Sequence, residues 1–409
     1  MFPLENGMIK KSLTEFFEDF LYKESLFVDR GVLLPSYTPG TIYYRDNEIN
    51  KIASILAPAL KQEKPSNLFV YGNTGTGKTL TVKNVINNMG ELAKGKNIPL
   101  KIIYINCKLK RVADTEYRLI AKLASFFGKT IPPTGLPTDE VYKVFYAAVE
   151  KEKCVVLVVL DEMDQLIKKA GDNILYNLTR INEELQNSQV SLVGISNDTM
   201  FIENIDIRVK SSLSEEEVLF SPYNAVEIQN ILRERSLKAF KENIIEQGVI
   251  EKCAAYVARE NGDARKAIGL LRVSGEIAER AKSGTVTTDH IDEAEERLEK
   301  EKIFDIIKTQ PKQFQAVLFS IFSVKDKNLL AYTGEIYGFY EKLCFKIGLR
   351  PLTQRRISDI IREFELMGII NTKTISKGRY GRTREITLVV SSSVLPLTKK
   401  ILEEELVLG

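Results

Sequence analysis

Residues 67–79 read NLFVYGNTGTGKT, and no other stretch limits the fold as tightly. An apolar run stops at Gly72, and Gly75, Gly77, Lys78 and Thr79 follow at the fixed positions of the phosphate-loop pattern GxxxxGK[ST]. The spacing has a physical cause. Glycines let consecutive backbone N–H groups converge on an anion, and the helix that follows aims its positive dipole end at the same point. A strand must therefore enter this loop and a helix must leave it. In such a loop Lys78 reaches terminal phosphates and the Thr79 hydroxyl ligates Mg2+. An ordinary glycine-rich turn is the plain alternative, and the order strand, loop, helix stands against it.

The chain around this loop alternates in the same way. Upstream, Pro35, Pro39 and Gly40 mark a loop, and residues 46–60 carry helical apolar spacing. Residues up to Tyr22 read as an amphipathic lead-in. Downstream, KIIYINC (101–107) is β-rich, residues 115–127 are helical, and PPTGLP (132–137) interrupts the pattern before a helix from Thr138. VVLVVLDEMD (155–164) is apolar on both faces, as in the central strand of a covered parallel sheet. It ends in acids at the carboxyl edge, where open α/β sheets hold their ligands. Asp161 would hold Mg2+ with Thr79, and Glu162 would polarise an attacking water; a helix-capping Asp–Glu pair is the alternative. VSLVGISND (190–198) places Asn197 beside the phosphates, although Asn at a strand end is also a common turn former. EEVLFSPY (216–223) supplies a fifth strand, and the alternation predicts a doubly wound α/β sheet.

Beyond Tyr223 the strand signals stop, and helices are predicted over 224–240, 246–260, 263–281 and 287–308. Arg235 shares a face with Ile228, Ile231 and Leu232, which calls for either an anion or a salt-bridging acid. Asp263 reads as an N-cap, and Arg265 in the following first turn opposes the helix dipole unless an anion meets it. The last hundred residues predict three helices, 313–322, 334–345 and 353–367, then two β-rich runs, 369–375 and 384–390, around SKGRYGRT. That order is a winged helix-turn-helix. On its third helix Ile357, Ile360, Ile361, Phe364 and Met367 form the buried stripe, and Arg355, Asp359 and Arg362 lie opposite. Thr353 caps the helix, and Arg355 and Arg356 crowd its first turn against the dipole, a placement that suits entry into a DNA groove. A solvated face in which Asp359 pairs Arg355 and Arg362 is the alternative.

Composition narrows the class. A chain of 409 residues suggests two or three domains, and 44% hydrophobic with 28% charged residues is a soluble composition. The longest apolar run, 154–160, is too short for a bilayer, and the acidic opening is unlike a signal peptide, so an intracellular protein is expected. Cys107, Cys154, Cys253 and Cys344 are scattered without CxxC spacing, which points to reduced, buried thiols. His290 is the one histidine, so His-based triads and His-rich metal sites are excluded; it is expected as a solvated helix residue. The net charge of +3 hides an asymmetry: residues 350–385 hold nine basic and four acidic residues.

YGNTGTGKT, VVLVVLDE, VGISND and GDARKAI together resemble the Walker A, Walker B, sensor-one and sensor-two motifs of AAA+ ATPases. With the basic C-terminal segment LTQRRISDIIREFELMGII and SKGRYGRTREI, the chain resembles archaeal replication initiators of the origin-recognition-complex and cell-division-control-six family. The resemblance runs from about Tyr37 to Val390. It implies an AAA+ α/β base with a parallel five-stranded sheet over 1–222, a helical lid over 223–308 and a winged-helix DNA-binding domain over 309–409. It implies ATP or ADP with Mg2+ as cofactors, held by Gly72, Asn73, Thr74, Gly75, Thr76, Gly77, Lys78 and Thr79, with Tyr223, Arg235 and Arg265 from the lid. Lys78, Asp161, Glu162, Asn197 and Arg265 would carry slow hydrolysis. IDIRVKSS resembles the arginine-finger box with Arg208 as the finger, although Ile207 stands where the family more often has proline. DNA contacts are implied for Thr134, Gly135 and Leu136 in the initiator-specific insertion. In the winged helix they fall on Thr353, Gln354, Arg355, Arg356 and Arg362, and at the hairpin on Lys377, Arg379, Tyr380 and Arg382. The implied partners are double-stranded origin DNA, the MCM helicase and other initiator copies, with no membrane, in a cytoplasmic, nucleoid-associated location. A nucleotide-gated transcription regulator and a clamp-loader-like remodeller are the rival functions.

Overall fold

The computed structural model describes residues 24–108, 115–201, 205–213, 216–326, 331–376, 382–390 and 394–406. The chain divides into two compact units, residues 1–272 and 273–409.

The first unit holds a helix α1 (Asp46–Leu56), then β1 (Leu68–Gly72), α2 (Lys78–Gly95), β2 (Leu100–Asn106), α3 (Glu116–Ser125), α4 (Thr138–Glu152), β3 (Val155–Asp161), α5 (Met163–Ala170), α6 (Asn173–Thr179), β4 (Gln189–Ser196), α7 (Ile207–Leu213) and β5 (Glu216–Phe220). The strands form one parallel sheet in the order β2-β3-β4-β1-β5. Its central strand explains the apolar run that announced it. Val156, Val158 and Leu160 face a core shared with α3, α4, α5 and α6. Val155, Leu157 and Val159 face the opposite core, built with Ile52 and Leu56 of α1 and Val82, Val85 and Ile86 of α2. With both faces covered, no position on β3 favours a polar side chain until Asp161 at the carboxyl edge. The sequence reading has no counterpart for α5 and α6, which lie between the paired acids and β4.

The unit continues with α8 (Ala225–Ala239), α9 (Val249–Glu260) and α10 (Ala264–Arg280), within which the division between the units falls. Asn224 and Glu227 form a capping box at the start of α8. A strap from the beginning of the described chain is laced to the other end of this helix. Val28 N–H donates to Ala239 O at 2.8 Å and Lys241 N–H to Leu26 O at 3.0 Å, and the Phe27 and Phe240 rings lie 4.5 Å apart. The compact division at 272 falls within the segment expected as the lid, 223–308. The strap on α8 and a bond from Ala264 N–H to Gly75 O tie the start of the helical segment to residues much earlier in the chain.

The second unit contains α11 (Thr288–Thr309), α12 (Lys312–Asp326), β6 (Ala331–Tyr332), α13 (Thr333–Lys346), α14 (Gln354–Leu366), β7 (Ile370–Ser376), β8 (Arg382–Leu388) and α15 (Leu395–Glu405). The stripe predicted on α14 is its buried face, with Ile357, Ile360, Ile361 and Phe364 fully enclosed and Met367 packed at the margin. β7 and β8 form the expected antiparallel hairpin, and the two-residue β6 adds a third strand beside β8. His290 is not simply solvated: its Nδ1 accepts from Thr287 N–H at 3.0 Å and so caps α11. The amphipathic lead-in lies outside the described residues. Among the described residues no helix is long and apolar enough to cross a membrane.

Candidate functional site

The phosphate loop sits between the end of β1 and the start of α2 and is shaped by what approaches it. A Cβ on Gly72 would fall 2.3 Å from Phe220 O of the neighbouring strand, and one on Gly75 would fall 1.7 Å from Asp263 Oδ1. Both glycines also have positive φ, 146° and 70°, so each position is closed to other residues by backbone and by space. The loop is folded over Lys78. That side chain is 4% exposed, and its ammonium donates to Gly72 O at 2.9 Å and Asn73 O at 2.6 Å. Burial, and then the nearby positive charge of Arg265, push the Lys78 ammonium from 10.5 down to about 8. The Thr76 hydroxyl closes the loop on Asn73 O at 2.9 Å, while Thr74 stays exposed.

Thr79 follows on the first turn of α2, and its Oγ1 lies 3.2 and 3.0 Å from the two carboxylate oxygens of Asp161. Asp161 is 2% exposed and also accepts from the Tyr104 hydroxyl and from Glu162 N–H. Burial and the Asp161 carboxylate raise the Tyr104 phenol well above its ordinary value, so it remains a donor. Glu162 has a left-handed backbone, φ 54°, an unfavoured conformation for a residue with a side chain, stored where the acid pair turns out of the sheet. Asp164, one turn on, is within 3.5 Å of Ser196 Oγ and Asn197 N–H, which joins α5 to the end of β4. The sequence reading singled out neither Tyr104 nor Asp164. The signal for Asp164 was present in the spacing D-E-M-D.

Gly75, Gly77 and Thr79 line a cavity of about 330 Å³ together with the rest of α2, residues 33–43, α8 and α10, whereas Lys78, Asp161, Glu162 and Asn197 are not among its lining residues. Tyr223, Arg235 and Arg265 are among its lining residues. Among the described residues, Arg235 meets a carbonyl and a ring and not a salt-bridging acid. Its Nη1 donates to Val32 O at 3.1 Å and its guanidinium lies 4.4 Å from the Tyr37 ring centroid, so it pins the loop that forms one wall. Arg265, exposed on the first turn of α10, follows Asp263, whose carboxylate caps the helix by accepting from the N–H groups of Arg265 and Lys266.

Arg208 is placed elsewhere. It is exposed on α7, outside the residues that line the cavity, and is held by Asp206 through Nε at 3.0 Å and Nη2 at 2.8 Å. That guanidinium draws the Asp206 carboxyl down to about 2. Thr134, Gly135 and Leu136 are exposed in the loop between α3 and α4, which the Tyr117 hydroxyl anchors by donating to Pro132 O at 2.6 Å.

In the second unit, Thr353 caps α14 by accepting from Arg356 N–H, and Gln354, Arg355, Arg356 and Arg362 are exposed. Asp359 pairs with Arg356 at 3.8 Å, not with Arg355 or Arg362 as the solvated-face alternative had it. Arg382 begins β8, while Lys377, Arg379 and Tyr380 lie outside the described residues.

The residues present fit a nucleoside polyphosphate and its divalent cation. The Lys78 ammonium rests on carbonyls of its own loop, acceptors weaker than a phosphate oxygen. Thr79 and Asp161 set an hydroxyl beside carboxylate oxygens, the hard donors Mg2+ takes.

Comparisons with known proteins point the same way. The AAA domain family model matches residues 61–198, the Cdc6 AAA+ ATPase-type lid domain 229–296, and the CDC6 C-terminal winged helix domain 305–395. An ORC1-type DNA replication protein of Pyrococcus furiosus is 48% identical over 394 residues, covering 95% of this chain and 93% of the relative. The ORC1-type DNA replication protein 1 of Archaeoglobus fulgidus is 46% identical over 389 residues, again covering 95% and 93%. Among solved structures, the Aeropyrum pernix ORC1 protein in complex with DNA superposes with a TM-score of 0.80 at 40% identity, covering 94% of this chain and 98% of that one.

Proposed function

Because the chain belongs to the family of ORC1-type DNA replication proteins, we propose that it is a replication initiator that binds origin DNA, switches its grip with the ATP or ADP it holds, and helps recruit or load the MCM helicase. The observation that carries the DNA part is the cap of α14, where Arg355 and Arg356 are exposed at a positive helix end, Arg356 with Asp359 at 3.8 Å, a placement that favours an anionic partner. The similarity to an ORC1 protein described in complex with DNA supports it.

In the first unit, Lys78 would turn from the loop carbonyls to terminal phosphates, and Thr79 with Asp161 would hold Mg2+. A bound Mg-ATP supplies a phosphoanhydride whose cleavage removes charge from the loop. Glu162 would orient a water, Asn197 stands at the adjacent strand end tied to Asp164, and Arg265 lines the cavity beside the loop from α10. Tyr223 and Arg235 form its wall. Arg208, outside its own cavity, would serve the nucleotide of a neighbouring copy on DNA. Thr134, Gly135 and Leu136 would add contacts from the first unit, and Lys377, Arg379, Tyr380 and Arg382 from the hairpin.

The Lys78 ammonium gives a pH signature. Free, it titrates at about 8, below its ordinary 10.5; a polyphosphate favours the charged form and raises that value. Binding then takes up a proton wherever the pH exceeds the free value. ADP affinity should be flat below that pH and fall about tenfold per unit above it. Calorimetry at pH 7 and pH 9, in buffers of different ionisation enthalpy, reads the uptake directly; none at pH 9 would remove Lys78 from the phosphates.

Footprinting on genomic DNA with ATP and with ADP tests the whole reading. A few protected sites beside replication bubbles, with a footprint that differs between nucleotides, are expected; protection spread over many promoters would instead identify a transcription regulator. Within that assay Arg355→Ala should weaken origin binding by about 5- to 100-fold while random duplex loses far less. Equal losses on both would make Arg355 a phosphate contact only.

A further inference from the structure

Arg45 precedes α1 and is 4% exposed, yet nothing in its sequence context marks it. Each of its three guanidinium nitrogens donates a hydrogen bond. Nε donates to Thr76 O at 2.9 Å, Nη2 to Ser221 O at 2.7 Å and Nη1 to Glu48 Oε1 at 3.0 Å. Its Cζ lies 3.9 Å from the Tyr223 ring centroid and 5.4 Å from that of Phe220. An apolar side chain would fill the same volume without desolvating a charge, so packing alone does not account for an arginine here.

The two carbonyls it binds belong to different machinery. Thr76 is part of the phosphate loop, two residues before Lys78. Ser221 is the first residue after β5, where the chain turns from the sheet into α8. Arg45 therefore joins the loop to this joint through a planar fork of fixed geometry. The joint reaches further. A Cβ on Gly77 would fall 2.9 Å from the Tyr223 hydroxyl, and one on Gly262 would fall 2.4 Å from Tyr223 O, next to the Asp263 that caps α10. Loop, joint and helix cap are thus in contact through Arg45 and Tyr223.

We propose that Arg45 is a positioning residue that fixes the phosphate loop to the sheet-to-helix joint at 221–223, so that a change in the loop is passed to α8 and the α10 cap. This rests on the reading that the loop binds a nucleotide. The same guanidinium that shapes the loop from behind sets where the helical segment starts.

Amide hydrogen exchange on the full chain, with and without ADP, tests the coupling, with ADP affinity and melting temperature measured alongside. In the wild type ADP should slow exchange together at 76–78 and at 221–225, by about tenfold or more at each. Arg45→Lys keeps the charge but not the fork. It should still bind ADP and protect 76–78, while protection at 221–225 drops about tenfold. Glu48→Ala frees the third arm without touching either carbonyl and should leave both segments protected together. Coupled protection surviving in Arg45→Lys would overturn the proposal. So would a wild type in which ADP protects 76–78 alone, a measurement that needs no variant to fold. A wild type that does not bind ADP would remove the nucleotide reading and this proposal with it.

Discussion

Lys78→Ala should lower the affinity for ADP by about two orders of magnitude, the usual consequence of removing one partner from a buried, hydrogen-bonded charge pair. The fold should tolerate the change, because without a phosphate the ammonium is a buried cation resting on two carbonyls, and burial holds its titration at about 8. Alanine has high helix propensity and removes that desolvated charge from the first turn of α2. A thermal melt separates the two effects. The wild type should gain about 2.7 kcal/mol at an ADP concentration one hundred times its dissociation constant, whereas the variant should gain only about 0.4 kcal/mol at the same concentration. A variant that melts like the wild type and still shifts fully with ADP would show that the loop does not hold phosphate through Lys78.

The second large effect is expected in the other unit. Phe364→Ala should destabilise the winged-helix unit by about 3–5 kcal/mol, as for other fully buried aromatic residues replaced by alanine. Phe364 is wholly enclosed on the inner face of α14, and its ring meets Phe314 of α12 edge to face, with centroids 5.9 Å apart. A cavity there loosens the helix whose outer face carries Arg355 and Arg362, so duplex binding should fail well below the wild-type melting temperature. Nucleotide binding should persist, since every residue lining the cavity belongs to the first unit. Measuring DNA binding and ADP binding on the same sample across a temperature ramp checks both halves. Simultaneous loss of the two would contradict the separate character of the units.

These two residues were legible in the sequence for different reasons. Lys78 was found because phosphate chemistry imposes fixed spacing on a short stretch. Phe364 was found because an apolar period of 3.6 persists over about three turns of an otherwise polar helix. The run 155–160 was read correctly as a buried strand because its lack of alternation has one simple cause, cover on both faces. What stayed hidden depends on partners far away in the chain. Arg45 binds carbonyls 31 and 176 residues distant, and a carbonyl leaves no trace in a sequence. Arg235 was marked as needing an acid or an anion, and within the chain it meets the carbonyl of Val32 and the Tyr37 ring, which a sequence does not show. The strand β6 is two residues long and exists because β8 offers it an edge, which no periodicity can report.

The strap on α8 has a consequence for how the molecule is made. Phe27 pairs with Phe240, roughly two hundred residues further along, so one of the earliest described segments to leave the ribosome must wait for its partner. At about 5–20 residues per second that wait lasts on the order of 10–40 s, and the loop to be closed is among the most entropically demanding in the chain. The parallel sheet has all five of its strands once Phe220 has emerged, before α8 exists to receive the strap. The wall formed by residues 33–43 is therefore completed late, and a nascent chain gains a closed pocket only after the sheet that carries the phosphate loop is already in place.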